Sequence, residues 1–374
     1  MHLTSGFKTY NKKGITILLL LMYIFAASQS VFANEEKLKS EKFNAGEMIL
    51  EHISDAHEWH IMTIGETHVS LPLPVILFYD GKLSSFCSSR FHHGKESYNG
   101  FKIAEEGANK GKIVHVTMGI DGKEVEDAKL PLDFSITKMV LSLFFSVFLM
   151  GFIFISISRS YRKRGVAAPK GLQSFLEPII IFVRDDIAKS SIGEKKYKKY
   201  LPFLLTVFFF IFLNNLMGLI PFFPGGVNLT GNIAITMTLA IFTFLITTFS
   251  GNRAYWKHIV NAPGVPWWLK IPIPLMPIVE LVGVFTKPFV LMVRLFANIT
   301  AGHIIALGFI SLIFIFGEMQ PILGYGVSVV SVVFYVFMGL LELLVAFIQA
   351  YVFTLLSALY FGMAIEEHHK EELH

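Results

Sequence analysis

The chain has 374 residues, of which 53% are hydrophobic and only 16% charged, with a formal net charge of +4. A mean hydropathy of +0.57 excludes an ordinary soluble domain and indicates a polytopic membrane protein, all-α across the bilayer. The cations gather at the ends of apolar runs rather than along one stripe, so the lipid bilayer is the expected partner and nucleic acid is not.

Lys8, Lys12 and Lys13 precede the apolar core Ile15–Ala27 and the small-residue segment Val31-Phe32-Ala33. That order fits a secretory signal peptide over 1–33, cut after Ala33, with an uncleaved anchor helix as the competing reading. On either reading, 34–133 is an exported polar domain without a spanning run. Its clearest local signal is VSLPLPVILFYDGKLSSFCSSRF, two extended stretches around Tyr79-Asp80-Gly81-Lys82. Asp-Gly predicts a tight hairpin there, because both central positions require positive φ. The domain carries His52, His57, His60, His68, His92 and His93. His57-Glu58-Trp59-His60 lacks HExxH spacing and a third ligand, so a solvated surface is expected rather than a metal site. Cys87 is the only cysteine, which excludes an intrachain disulfide framework and a cysteine metal centre.

Five membrane passages follow. Ile136–Ile157 is the first span, stopped by Arg159, Arg162, Lys163 and Arg164 on the cytoplasmic side. Residues 171–191 place Leu172, Phe175, Leu176, Ile179, Val183 and Ile187 at helical spacing, interrupted by Glu177, Arg184, Asp185 and Asp186. This predicts an amphipathic helix lying in the membrane plane, or packed on a soluble part of another subunit. Leu201–Phe223 and Ile233–Phe249 form a hairpin around an uncharged outer loop, and Asn214 and Asn215 near its tip are expected to hydrogen-bond between helices. A long apolar hairpin over 275–365 turns at GEMQP, and the charged tail after it ends in the cytoplasm, 369–374 lying beyond the membrane domain 134–368. Both arms exceed the roughly 20 residues of an upright span, so they must tilt, kink or lie partly across the bilayer.

The chemistry lies in these two arms. Arg294 sits inside the apolar run Phe289–Phe316 and cannot lose its proton. Holding it at mid-membrane costs roughly 3 to 15 kcal/mol, which is tolerated where the charge faces a partner or a wet path. Glu280, Arg294 and Asn298 fall within about 80° on an ideal helix, with His303 near the opposite side. In the second arm, Glu342 and Gln349 are seven residues apart and share a face. Facing residues of an antiparallel hairpin have nearly constant summed positions, which pairs His303 with Glu342 and Arg294 with Gln349. A His–Glu pair can pass protons near neutral pH, while a fixed cation can gate them. The blander alternatives are a structural Arg294–Glu342 ion pair, a hydrogen-bonded core histidine, helix–helix glue at Asn298 and Gln349, and a solvated Glu280 near the cytoplasmic end. No phosphate loop, nucleophile elbow or dinucleotide fingerprint is present, and no cofactor is expected.

TKPFVLMVRLFANITAGHII and GLLELLVAFIQAYVFTLLSALYFGMAIEEH closely resemble subunit a of the F-type ATP synthase, and FLNNLMGLIPFF resembles that family's earlier hairpin. The resemblance implies a proton-translocating stator in a prokaryotic inner membrane, not an enzyme by itself. Its implied partners are a ring of c subunits, the b subunits of the peripheral stalk and the remaining synthase subunits. The family's essential arginine corresponds to Arg294, and neighbouring polar positions to Asn298 and Gln349. Some bacterial members place Glu where His303 stands and His where Glu342 stands; this chain has the exchanged arrangement, which also resembles mitochondrial members.

Overall fold

In a computed structural model, the described residues are 43–64, 67–92, 94, 96–105, 107–118, 124–164, 168–220, 224–260 and 275–366. The expected signal peptide over 1–33 and the tail 369–374 lie outside them. A short helix α1, Ala45–Ile53, opens the N-terminal part. Strands β1 (Glu58–Ile64) and β2 (Thr67–Pro72) pair antiparallel. Strands β3 (Pro74–Tyr79) and β4 (Lys82–Cys87) form the hairpin expected at Asp-Gly, with Tyr79 opposite Lys82 and φ of +46° at Asp80 and +77° at Gly81. A mirror-image turn matches the right-handed twist of the two strands, and Gly81 meets the positive φ at no steric cost.

Strand β3 also pairs with β8 (Leu132–Asp133), while β5 (Phe101–Ile103), β6 (Ile113–Met118) and β7 (Glu124–Glu126) form a second three-stranded sheet. Val75, Leu77, Phe91, Phe101 and Ile113 are the buried apolar core between these strands. Polar networks tie its edges. Asp127 accepts from His115 at 2.6 Å and from the Tyr79 hydroxyl at 2.9 Å. These two donors hold its carboxyl below the usual range, His115 contributing most. His57 is buried and bonded to Asp133 at 2.7 Å, so the expectation of a solvated surface fails at this residue. Burial presses the Asp133 carboxyl upward, but the bonds from His57 and Ser135 outweigh it and leave it below its ordinary value.

Five helices among the described residues are long and apolar enough to cross a membrane. These are α2 (Lys138–Arg164), α4 (Tyr197–Gly218), α5 (Ile233–Ser250), α7 (Leu275–Met319) and α8 (Pro321–Ile365). Helix α3 (Leu172–Phe182) runs on through a π-helical turn, Val183–Lys189, and a last turn to Ile192. Leu176, Val183 and Ile187 of this segment are buried, as their spacing predicts, but Leu172 and Phe175 are exposed. Both exposed residues lie in the first turn of α3, ahead of the π turn, where Gln173 and Leu176 are buried instead. Asp185 accepts two bonds from Arg184 and pairs with Lys189 at 2.8 Å. Those cations, Arg184 above all, hold its carboxyl far below the carboxylate range.

Helix α4 is the centre of the helical core. Leu204, Val207, Phe208, Phe209 and Ile211 are buried against the tail of α3, α2 and α8. Asn232 caps α5 by accepting from the Ala234 amide, and Pro321 starts α8 at a position whose missing N–H costs nothing. Only Gln320 separates α7 from α8, and a Cβ on Gly324 would lie 2.7 Å from the Cα of Gly317. This close approach lets two 45-residue helices reverse direction and pack along each other. Each is roughly 67 Å long at 1.5 Å per residue, more than twice the hydrocarbon thickness of about 30 Å, so neither crosses upright.

The far end of α8 is held as tightly. Lys196 donates to the Ile365 carbonyl and Asn252 to that of Glu366, satisfying orphan carbonyls at the helix C-terminus. A Cβ on Gly362 would stand 2.1 Å from the Ser191 carbonyl oxygen. Gly362→Ala is therefore expected to lower stability by about 1 to 3 kcal/mol through overpacking. A depressed unfolding temperature in detergent measures it, and wild-type stability would show that the α3 tail does not dock here.

Candidate functional site

Polar side chains gather where α7 and α8 run antiparallel. His303 Nε2 lies 3.4 Å from Glu342 Oε1, with both side chains nearly enclosed. This is the pairing that the summed positions predict, and among the described residues Glu342 forms no ion pair with Arg294. The contact is close enough for charge interaction, yet Oε1 is buried with no hydrogen-bond donor aligned on it. A buried acceptor in that state costs roughly 1 to 3 kcal/mol unless a proton or water satisfies it. The surroundings are built from glycine. A Cβ on Gly302 would lie 3.2 Å from Glu342 Oε1, and one on Gly218 of α4 would lie 3.4 Å from His303 Nε2. Larger residues at either place would crowd the pair.

Arg294 lies elsewhere. It is exposed near the middle of α7, on a face that also carries the exposed apolar residues Val290 and Ile305. Asn298 is exposed on the same face, one turn on. Among the described residues Arg294 forms no ion pair, so a permanent cation stands unneutralised on an apolar helix face. Gln349 is buried in α8 and makes no hydrogen bond with Arg294, so the second expected pairing is not formed. Asn215 bridges helices as expected, donating to the Ala346 carbonyl and accepting from Thr230. Asn214 instead donates within its own helix, to Phe210.

Glu280 is half-buried and lies in electrostatic reach of Tyr255 on α6 (Arg253–Val260). Burial first, and Glu280 second, raise the Tyr255 hydroxyl above its ordinary pKa. Tyr255 belongs to a cleft between α5, α6, α7 and α8, lined also by Thr243, Thr247, Lys287 and Tyr360. The Lys287 ammonium lies 5.8 Å from the Tyr360 ring centroid, and Arg294 acts electrostatically on the same tyrosine. The sequence reading passed over Lys287 and Tyr360. Lys287 was legible, because it stands seven residues before Arg294 and hence on the same helix face.

The fold and this arrangement define a multi-pass membrane protein with polar groups set along a long helical hairpin. Residues 139–362 match the family model described as ATP synthase A chain, and the chain belongs to that family. It is 44% identical to ATP synthase subunit a of Chloroherpeton thalassium over 249 residues, 65% of this chain and 70% of the relative. Identity to ATP synthase subunit a 2 of Chlorobaculum tepidum is 46%, covering 62% and 64% of the two chains. Subunit a of Chlorobium phaeobacteroides strain BS1 is 40% identical, covering 72% and 80%. Residues 48–134 match a second model, described as domain of unknown function DUF8433.

Proposed function

We propose that this chain is the stator subunit of a proton-driven F-type ATP synthase, working as part of that complex in a prokaryotic inner membrane. In this reading, 34–133 stands outside and the C-terminus is cytoplasmic. Protons enter from outside through a half-channel containing His303 and Glu342. They protonate a carboxylate on a ring of c subunits, which then turns into lipid as a neutral group. After nearly a full turn, each proton leaves by a second half-channel, along the cleft of Tyr255, Lys287 and Tyr360 with Glu280 near its end. Arg294 separates the two paths and draws the ionised ring carboxylate, so protons cannot pass directly. Asn298 and Gln349 orient water and neighbouring groups around it. The b subunits of the peripheral stalk hold the chain against rotation, and no cofactor takes part. The driving force is the potential: about 2.3 kcal/mol for each charge crossing 100 mV.

The observation that carries this reading is Arg294, an unneutralised cation on an exposed apolar face. Such a charge is tolerated where it faces a partner or a wet path, and an acidic group on a neighbouring subunit meets that need. The buried His303–Glu342 pair supplies polar groups on another face of the same hairpin, and the Lys287–Tyr360 cleft supplies them along the Arg294 face. Purification in mild detergent is expected to bring down a small proteolipid that assembles as a ring, and Val293→Cys is expected to cross-link to it. Recovery of the chain with neither ring nor cross-link would overturn the proposal.

A further inference from the structure

The N-terminal part comes within electrostatic reach of the proton pair. Helix α1 packs against α7, and His52 on α1 lies within electrostatic reach of His303. Ala45, Met48, Ile49 and Ile53 are the half-buried positions of α1, and His52, one turn after Met48, is exposed at the edge of that face. The helix is also anchored at the head of α2. Lys138 donates from its side chain to the His52 carbonyl at 3.3 Å, its amide bonds to the Ala56 carbonyl, and Asp55 accepts the Met139 amide at 3.2 Å. At its other end, Glu47 is bonded to Lys110 at 2.5 Å. Helix α1 is thus held by the turn at Lys110, α2 and α7 together, with the exposed His52 imidazole in electrostatic reach of His303.

We propose that α1 closes the entrance to the His303–Glu342 pair, and that His52 is the first protonatable group through which a proton reaches it. This rests on the reading of that pair as the inlet. The chemistry is a proton hop: a neutral imidazole accepts a proton from water at one ring nitrogen and releases the proton on its other nitrogen inward. The charged and titratable groups in electrostatic reach of His52 are the Lys138 ammonium and His303, which is paired with Glu342, and Asp55 stands three residues on, just past the end of α1. Desolvation by its neighbours, and then the Lys138 cation, lower the His52 imidazole from its ordinary pKa, which favours its handing a proton on. The N-terminal part then has a task in proton delivery as well as in folding.

The test is passive proton flux through the assembled membrane sector in proteoliposomes, measured against the pH on the side of the N-terminal part. His52→Ala is expected to slow flux about tenfold at alkaline pH and little at acidic pH, less than the hundredfold of a typical positioned acid–base group because water partly substitutes. Added imidazole should restore it. His52→Phe, which keeps the bulk without the titratable ring, should stay slow, and His52→Gln serves where His52→Ala fails to assemble. Flux unchanged in these variants, while His303→Ala is crippled, overturns this inference alone. A loss equal at every pH, restored by His52→Phe and untouched by imidazole, would show α1 to be only a structural brace. If His303→Ala also conducts normally, the inlet reading has itself failed.

Discussion

Arg294→Ala is expected to reduce proton-driven ATP synthesis below about 1% of wild type, a loss of at least about 2.7 kcal/mol in the coupled step. The subunit should nevertheless assemble. The Arg294 side chain is exposed and fills no site in the described core, so its truncation leaves neither a cavity nor an orphaned partner within the chain. What disappears is the only cation in the middle third of α7. Without it, an ionised ring carboxylate would have to pass an apolar face unpaired, and the fixed barrier to protons between the two sides of the hairpin would be gone. Arg294→Lys should restore little, because a compact ammonium lacks the planar fork that meets a carboxylate with two donors. The measurement is ATP synthesis by reconstituted complex under an imposed potential, with ring copurification as the assembly control. Wild-type synthesis by Arg294→Ala would remove the gate from the mechanism.

Much of this arrangement is legible from residue order, and the exceptions have physical causes. The antiparallel hairpin could be read because only Gln320 interrupts two regular helices, so summed positions bring His303 to Glu342. The same rule pairs Phe309 with Phe334, whose rings stack at 5.2 Å. It fails for Arg294 and Gln349, since nothing in summed position specifies which way a side chain faces around its own helix. Arg294 turns outward and Gln349 turns into the bundle against α4. The α3 stripe fails only in its first turn, where Gln173 rather than Leu172 or Phe175 turns inward, a choice that apolar spacing does not reveal. The Tyr255–Lys287–Tyr360 cleft draws on three helices far apart in sequence, so only packing assembles it. His52 is one of seven histidines in a polar segment, and nothing local distinguishes it from His60 or His92 before α1 meets α7.

The second large effect is expected at the His303–Glu342 pair, and it tests chemistry separately from shape. Glu342→Gln keeps the size and most of the polarity of the side chain while removing its titration, so proton flow should fall at least about tenfold with the hairpin intact. The exchange noted between family members suggests a sharper experiment. His303→Glu alone sets two carboxyl groups in a gap now spanned by 3.4 Å, where like charges force one to remain protonated and idle. Glu342→His alone sets two imidazoles there, and both would resist protonation together. The double exchange returns one acid and one base to the same gap, now with their helices swapped. It is expected to conduct within a few-fold of wild type, while each single variant stays at least about tenfold slower, a coupling of about 1.4 kcal/mol or more. Gly302 and Gly218 leave the space beside the pair that such an exchange needs, since neither carries a Cβ to crowd the larger ring at a new position. A double variant no faster than the slower single one would mean that the two residues act independently, and the relay would then have to be abandoned even if each proved necessary.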